Sequence, residues 1–89
     1  MRVVISVVGK DQVGILAKVS TKCMNNNANI IDVSQKVMEE FFTMIMIVEW
    51  RESSEQFLAF ISEMETYGTE NGLKIHVMHE DIFNSMHNI

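Results

Sequence analysis

Residues 29–50 decide the fold: Asn29-Ile30-Ile31-Asp32-Val33-Ser34-Gln35-Lys36-Val37-Met38-Glu39-Glu40-Phe41-Phe42-Thr43-Met44-Ile45-Met46-Ile47-Val48-Glu49-Trp50. In the first ten residues Ile31, Val33 and Val37 fall on one face and Asp32, Ser34 and Lys36 on the other. That is a half-exposed strand, suited to a sheet edge. Beyond Glu39-Glu40 both faces turn apolar, with Phe42, Met44, Met46 and Val48 against Ile45 and Ile47. A strand covered on both sides belongs in the centre of a sheet. Two residues between the runs make them a hairpin.

Upstream, Asn25-Asn26-Asn27 favours a turn and left-handed backbone. Before it, Ile15, Leu16, Val19 and Cys23 recur at helical spacing, with Lys18 and Lys22 on another face. The period predicts a helix from Gln12, with Asp11 as its N-cap. Arg2 to Val8 is a β-branched apolar run ended by Gly9 and reads as a strand with both faces at least partly covered. Downstream, Ser53 and Gln56 have the spacing of a capping box. Phe57, Phe60, Ile61 and Met64 then form the stripe of a second helix, stopping near Gly68. Leu73, Ile75 and Val77 alternate with Lys74 and His76 in a fourth strand. Asp81 stands where it can cap a short tail with Ile82, Phe83, Met86 and Ile89 on one side.

The order βαββαβ gives an α+β, ferredoxin-like fold: a four-stranded antiparallel sheet with two helices on one face. The most apolar strands, first and third, should be central. Residues 1–80 form the domain and 81–89 its helical tail. Nothing proline-rich or low-complexity divides the chain.

Eighty-nine residues suit one domain, and 47% hydrophobic content excludes intrinsic disorder. Seven basic against twelve acidic side chains give a formal charge of −5, which argues against a nucleic-acid backbone or an anionic membrane as partner. No apolar run approaches the roughly 20 residues of a spanning helix. Arg2 with Val3 to Val8 is too short for a secretory signal and ends in Gly9-Lys10-Asp11. One cysteine excludes an internal disulfide and points to a reducing, cytoplasmic setting. The charge is uneven: residues 1–36 hold five bases and two acids, +3, while residues 37–89 hold two bases and ten acids, −8.

Several chemistries lack their residues. An RNA-recognition sheet needs bases ahead of its aromatics, whereas Glu39-Glu40 precedes Phe41-Phe42 here. A metal carrier needs Cys-x-x-Cys in the first loop, and Cys23 lies instead on the apolar stripe, as a small core hydrophobe. His76 and His79, three apart on a strand, point to opposite faces, and His79, Glu80 and Asp81 make at best a weak cluster, so no metal is expected. Met44, Met46 and Met64 fall at core periodicity. No nucleophile turn or facing carboxylate pair supports catalysis, and no cofactor is implied.

One loop remains, Val8-Gly9-Lys10-Asp11-Gln12-Val13-Gly14-Ile15-Leu16. Glycine in a first helical turn costs about 1 kcal/mol relative to alanine. Gly14 either lets helix and sheet pack closely or admits a ligand to N–H groups at the positive end of the helix. From the residues alone the two readings stand level.

Val8-Gly9-x-Asp11-x-x-Gly14-Ile15-Leu16, Val19-Ser20, Asn29-Ile30-x-Asp32 and Ser34-Gln35, in that order, resemble the ACT domain through the fourth strand. The likeness is greatest to small stand-alone, uncharacterised ACT proteins of bacteria and archaea, which share the Asn88-Ile89 ending. It is more distant to the ACT domains of the glycine-cleavage repressor. The resemblance implies a regulatory domain binding an amino acid at a homodimer interface made through the second strand and the helices. Carried over, Asp11, Val13, Gly14 and Ile15 line the loop side, and Asn29 with Ile30 the strand side, contributed by the other protomer. N–H groups from Val13 to Ile15 would take the carboxylate and Asp11 the ammonium, while Asn29 offers donor and acceptor. Family members often carry Arg-Pro before the glycine. Gln12-Val13 stands there instead, without the ring that pre-sets a first helical turn. A ligand-free dimeric interaction module is the alternative reading. Either way, signalling would have to reach a partner enzyme or regulator on another chain.

Overall fold

The computed structural model describes residues 1–87, so the expectations for Asn88 and Ile89 lie outside the described residues. Seven elements follow one another: β1 (Arg2–Lys10), α1 (Ile15–Asn25), β2 (Asn29–Met38), β3 (Phe41–Glu49), α2 (Ser54–Glu70), β4 (Leu73–His79) and α3 (Glu80–His87). The strands form one antiparallel sheet in the order β2-β3-β1-β4, with the two most apolar strands central as expected. No helix among the described residues is long and apolar enough to cross a membrane.

The core lies between one face of the sheet and α1 with α2. Val3, Ile5 and Val7 of β1 and Phe42, Met44, Met46 and Val48 of β3 meet Ile15, Val19 and Cys23 of α1 and Phe60 and Met64 of α2. The three core methionines are at most 1% exposed and fill it as their periodicity predicts. Cys23 is buried beside the Met46 sulfur at 3.8 Å, and burial, with a smaller push from the Glu63 carboxylate, raises its thiol pKa to about 11. Trp50 closes the end of the core against Phe57 and Phe60, with ring centroids 5.4 and 5.1 Å away.

α2 opens on the expected capping box. The Gln56 N–H donates to Ser53 Oγ at 3.2 Å, and the Ser53 N–H donates to Gln56 Oε1 at 3.3 Å. The helix does not stop at Gly68 but runs to Glu70. Gly68 is there for close approach, because a Cβ would come within 2.7 Å of the Leu73 carbonyl oxygen. Tyr67 and Asn71 finish the turn, and the positive φ needed to leave it falls on Gly72 at 68°.

Other boundaries differ from the sequence reading for local reasons. β1 continues through Gly9 and Lys10, because the ladder to β3 extends to Phe41 and Gly9 pairs with Leu73 on the other side. A Cβ on Gly9 would meet the Gly72 carbonyl oxygen at 2.9 Å. The expected alternation in β2 is broken by a bulge at Ile31. Ile30 and Val33 pack against the core while Ile31 is 44% exposed. Leu16 sits at the margin of the helical stripe, 36% exposed. Asp81 lies inside α3 and does not cap it; its own N–H donates to His79 Nδ1 at 3.0 Å, so the histidine side chain does the capping.

α3 folds back over the face of the sheet opposite α1 and α2, against β1 and β4. It covers Val4, only 2% exposed, which accounts for the second apolar face of β1.

Candidate functional site

The loop from Asp11 to Gly14 joins a central strand to the start of α1. The Asp11 N–H donates to the Glu40 carbonyl at 2.7 Å, which ties the end of β1 to the β2–β3 hairpin. The Gln12 side-chain amide donates to the Asn71 carbonyl at 3.0 Å, fastening the loop to the α2–β4 turn. Val13 is fully exposed. Gly14 is the N-cap residue at φ 86°, and its carbonyl accepts the first helical bond from the Lys18 N–H at 2.9 Å.

Three expectations about this loop are corrected. The helix begins at Ile15 and not at Gln12, and Asp11 does not cap it. Its backbone is still paired with the hairpin, so its side chain starts three residues too early to reach the first-turn N–H groups. Gly14 is not in the first turn and does not serve close packing, since a Cβ there would meet nothing within 4 Å. Its requirement is the left-handed backbone, where residues with a Cβ pay strain. No side chain bonds to the first N–H groups of α1, and no acid stands in its first turn. An exposed, uncapped helix start of this kind favours a carboxylate.

The structure therefore brings Asp11, Val13, Gly14 and Ile15 into one corner, with Ile15 anchoring it in the core at 2% exposure. It does not bring Asn29 and Ile30 to that corner. Asn29 is exposed and lies opposite Glu49, which pairs with Arg2, whereas the loop follows Lys10. Eight residues of strand, at about 3.3 Å each, hold the two sets some 26 Å apart within one chain. Gln12 is the residue that sequence reasoning passed over. Its clamp to Asn71 does part of what a proline ring would do for loop rigidity, but a long-range bond to a backbone carbonyl leaves no sequence signal.

Among the described residues no group of histidine, cysteine or carboxylate side chains is arranged to hold a metal ion. The histidines are partly or fully exposed, and Cys23, whose thiol stays protonated far above neutral pH, is out of reach of any solvent-borne reactant.

Comparison with known proteins places this geometry. The family model for the ACT domain matches residues 1–78. A UPF0237 protein of Methanocaldococcus jannaschii is 46% identical over 99% of this chain and 98% of its own length. Among solved structures, an ACT domain protein from Streptococcus pneumoniae is 40% identical, covers 93% of both chains and superposes with a TM-score of 0.80. A protein described as a glycine cleavage system transcriptional repressor shares the fold at 23% identity, with a TM-score of 0.75 over 89% of this chain and 47% of its own. The chain belongs to the ACT-domain family of regulatory domains.

Proposed function

We propose that the chain senses an amino acid, or a similar small carboxylate, at a homodimer interface and passes the signal to a partner enzyme or regulator. The observation that carries this reading is the open start of α1, an eleven-residue helix whose leading N–H groups have no side-chain cap and lie behind a glycine with empty space where a Cβ would be. N–H groups from Val13 to Ile15 take the ligand carboxylate, and Asp11, released from capping, pairs with its ammonium. Asn29 and Ile30 of the second protomer close the other side.

The separation of the two residue sets supports the dimer. Antiparallel pairing of two β2 edges about a two-fold axis lays the start of β2 in one protomer beside its end in the other. Met38 pairs with Phe41, and Phe41 with Lys10, so that end is the one carrying the loop. The edge of β2 is long, ten residues, and lies unpaired in the single chain. Catalysis has no part in this reading, and neither does a cofactor.

A thermal-shift screen of the twenty amino acids against the intact chain tests it. Ligand at 100 times its dissociation constant adds about 2.7 kcal/mol, or roughly 10–20 °C for a domain of this size. Absence of any shift at millimolar concentration sinks amino-acid sensing. Binding to another protein alone, lost when residues 82–89 are deleted, favours the ligand-free dimeric interaction module, for which exposed Ile82 and Met86 speak.

A further inference from the structure

The sheet face opposite α1 and α2 is laid out in cross-strand rows. Nearest the hairpin lie Lys36, Thr43, Val8 and Lys74; the next row is Ser34, Ile45, Ser6 and His76. The third, Asp32, Ile47, Val4 and Met78, is the one that α3 covers at Val4. Under the last turns of α3 the first two rows stay open. Except for Lys74, at the outer edge of β4, they line the floor of a cleft of about 400 Å³ roofed by Phe83, Met86 and His87. Small-molecule pockets range over roughly 300–1,000 Å³.

The chemistry of this cleft differs from that of the whole molecule. In a chain with twelve acids, no described carboxylate lines it. Lys36 lines its outer row, while Lys74, at the β4 end of that row, lies outside the lining, in a sheet-edge hollow shared with Glu65. Ser34, Ser6 and His76 supply hydrogen-bonding groups on the floor, while Val8, Ile45 and Met86 leave apolar surface unsatisfied at 47%, 42% and 65% exposure. The roof is held as a unit, with Phe83 stacked on His87 at 4.1 Å and His87 Nδ1 bonded to the Phe83 carbonyl at 2.9 Å. Asp32, Glu49, Glu80 and Asp81 gather at the other end of the face. The carbonyl end of α3 opposes an anion here with about half a negative charge, against the whole charge of Lys36.

We propose that this cleft binds a small carboxylate with an apolar body, its carboxylate held on the lysine side of the floor and its body under Phe83 and Met86. It is a second site, separated from the Gly14 loop by the thickness of the sheet, and it stands whether or not that loop binds an amino acid.

Methionine methyl NMR on the intact chain tests it with 3-phenylpropanoate as probe. The Met78 and Met86 methyl signals should move along a saturable isotherm while those of buried Met46 and Met64 stay still. The neutral 3-phenylpropanamide, and the acid against Lys36→Glu, should each bind roughly fivefold more weakly. No saturable movement in the millimolar range, or equal binding of acid and amide, overturns the proposal. So does a Met86 signal that ignores the acid and follows protein concentration, which assigns the cleft to a second copy of the chain.

Discussion

Replacing Gly14 separates backbone strain from ligand contact. The residue sits at φ 86°, ψ 11°, and a Cβ would touch nothing within 4 Å, so substitution brings no steric clash with the rest of the fold. What remains is the conformational term. A non-glycine residue held in the left-handed region costs about 1–3 kcal/mol, offset by about 0.4–1 kcal/mol because the unfolded chain also loses freedom. Gly14→Ala should therefore destabilise by about 1 kcal/mol. Gly14→Val should cost about 2 kcal/mol or more, since β-branched residues tolerate positive φ least. Gly14→Asn should stay close to the parent, because asparagine enters this region readily. Urea unfolding at constant m reads the series directly. Parent and Asn variant should be nearly level, with Ala and Val progressively lower. An alanine variant as stable as the parent, or valine no worse than asparagine, would falsify the assignment of Gly14 to its backbone conformation. The asparagine variant then serves the functional question. If it keeps stability but loses the amino-acid thermal shift, the open space over Gly14 belongs to a ligand.

Two further outcomes follow from the packing. Gly68→Ala pits helix propensity, which favours alanine by about 1 kcal/mol, against a Cβ 2.7 Å from a backbone oxygen of β4, which cannot swing aside. The clash should win, with net destabilisation of about 1–3 kcal/mol, and a raised melting temperature would refute that close contact. The Cys23 thiol, raised from 9.0 to about 11 by folding, keeps its proton where the unfolded chain loses it. Its contribution is therefore complete below pH 9 and falls as pH rises from about 9 to about 11. Between pH 8 and 10 the parent should lose about 1 kcal/mol more than Cys23→Ala, as measured by paired denaturation curves; parallel curves contradict the burial argument.

Elements set by their own residues were legible in the sequence. The capping box at Ser53 and Gln56, the two-residue hairpin at Glu39-Glu40 and the two-faced β3 needed only local pattern, and the strand order followed from which strands were apolar on both sides. The errors arose where a distant partner decides. Asp11 looks like an N-cap until its backbone N–H is claimed by Glu40. Gly9 looks like a strand end until β4 pairs with it. The bulge at Ile31 turns Ile30 to the core and Ile31 to solvent while Val33, Ser34 and Lys36 keep the faces their alternation predicts, and no composition signal announces one extra residue. For the candidate site, the loop residues were found by their glycine and their family pattern, while the clamp from Gln12 to Asn71 was invisible because its acceptor is backbone.

Folding also changes what the charge pattern means. In sequence the candidate loop falls in the basic part of the chain, which suggests a pocket for simple anions. In three dimensions the acidic hairpin tip is tied to the loop through Glu40, so Asp11, Glu39 and Glu40 share one corner with the uncapped start of α1. A bare carboxylate there gains the helix N–H groups but approaches three acids. A zwitterion would gain the same N–H groups and also place an ammonium where acids already stand, so the site proposed at the loop would favour the amino group as well as the carboxylate. The cleft beneath α3 has the reverse balance. Lys36 lines it with no carboxylate in the lining, so an ammonium on the proposed ligand would meet like charge and a plain apolar acid would not. The two proposed sites would thus divide small carboxylates by a single functional group. The −5 of the whole chain says nothing about that division, because it is set by which residues the strand register brings side by side.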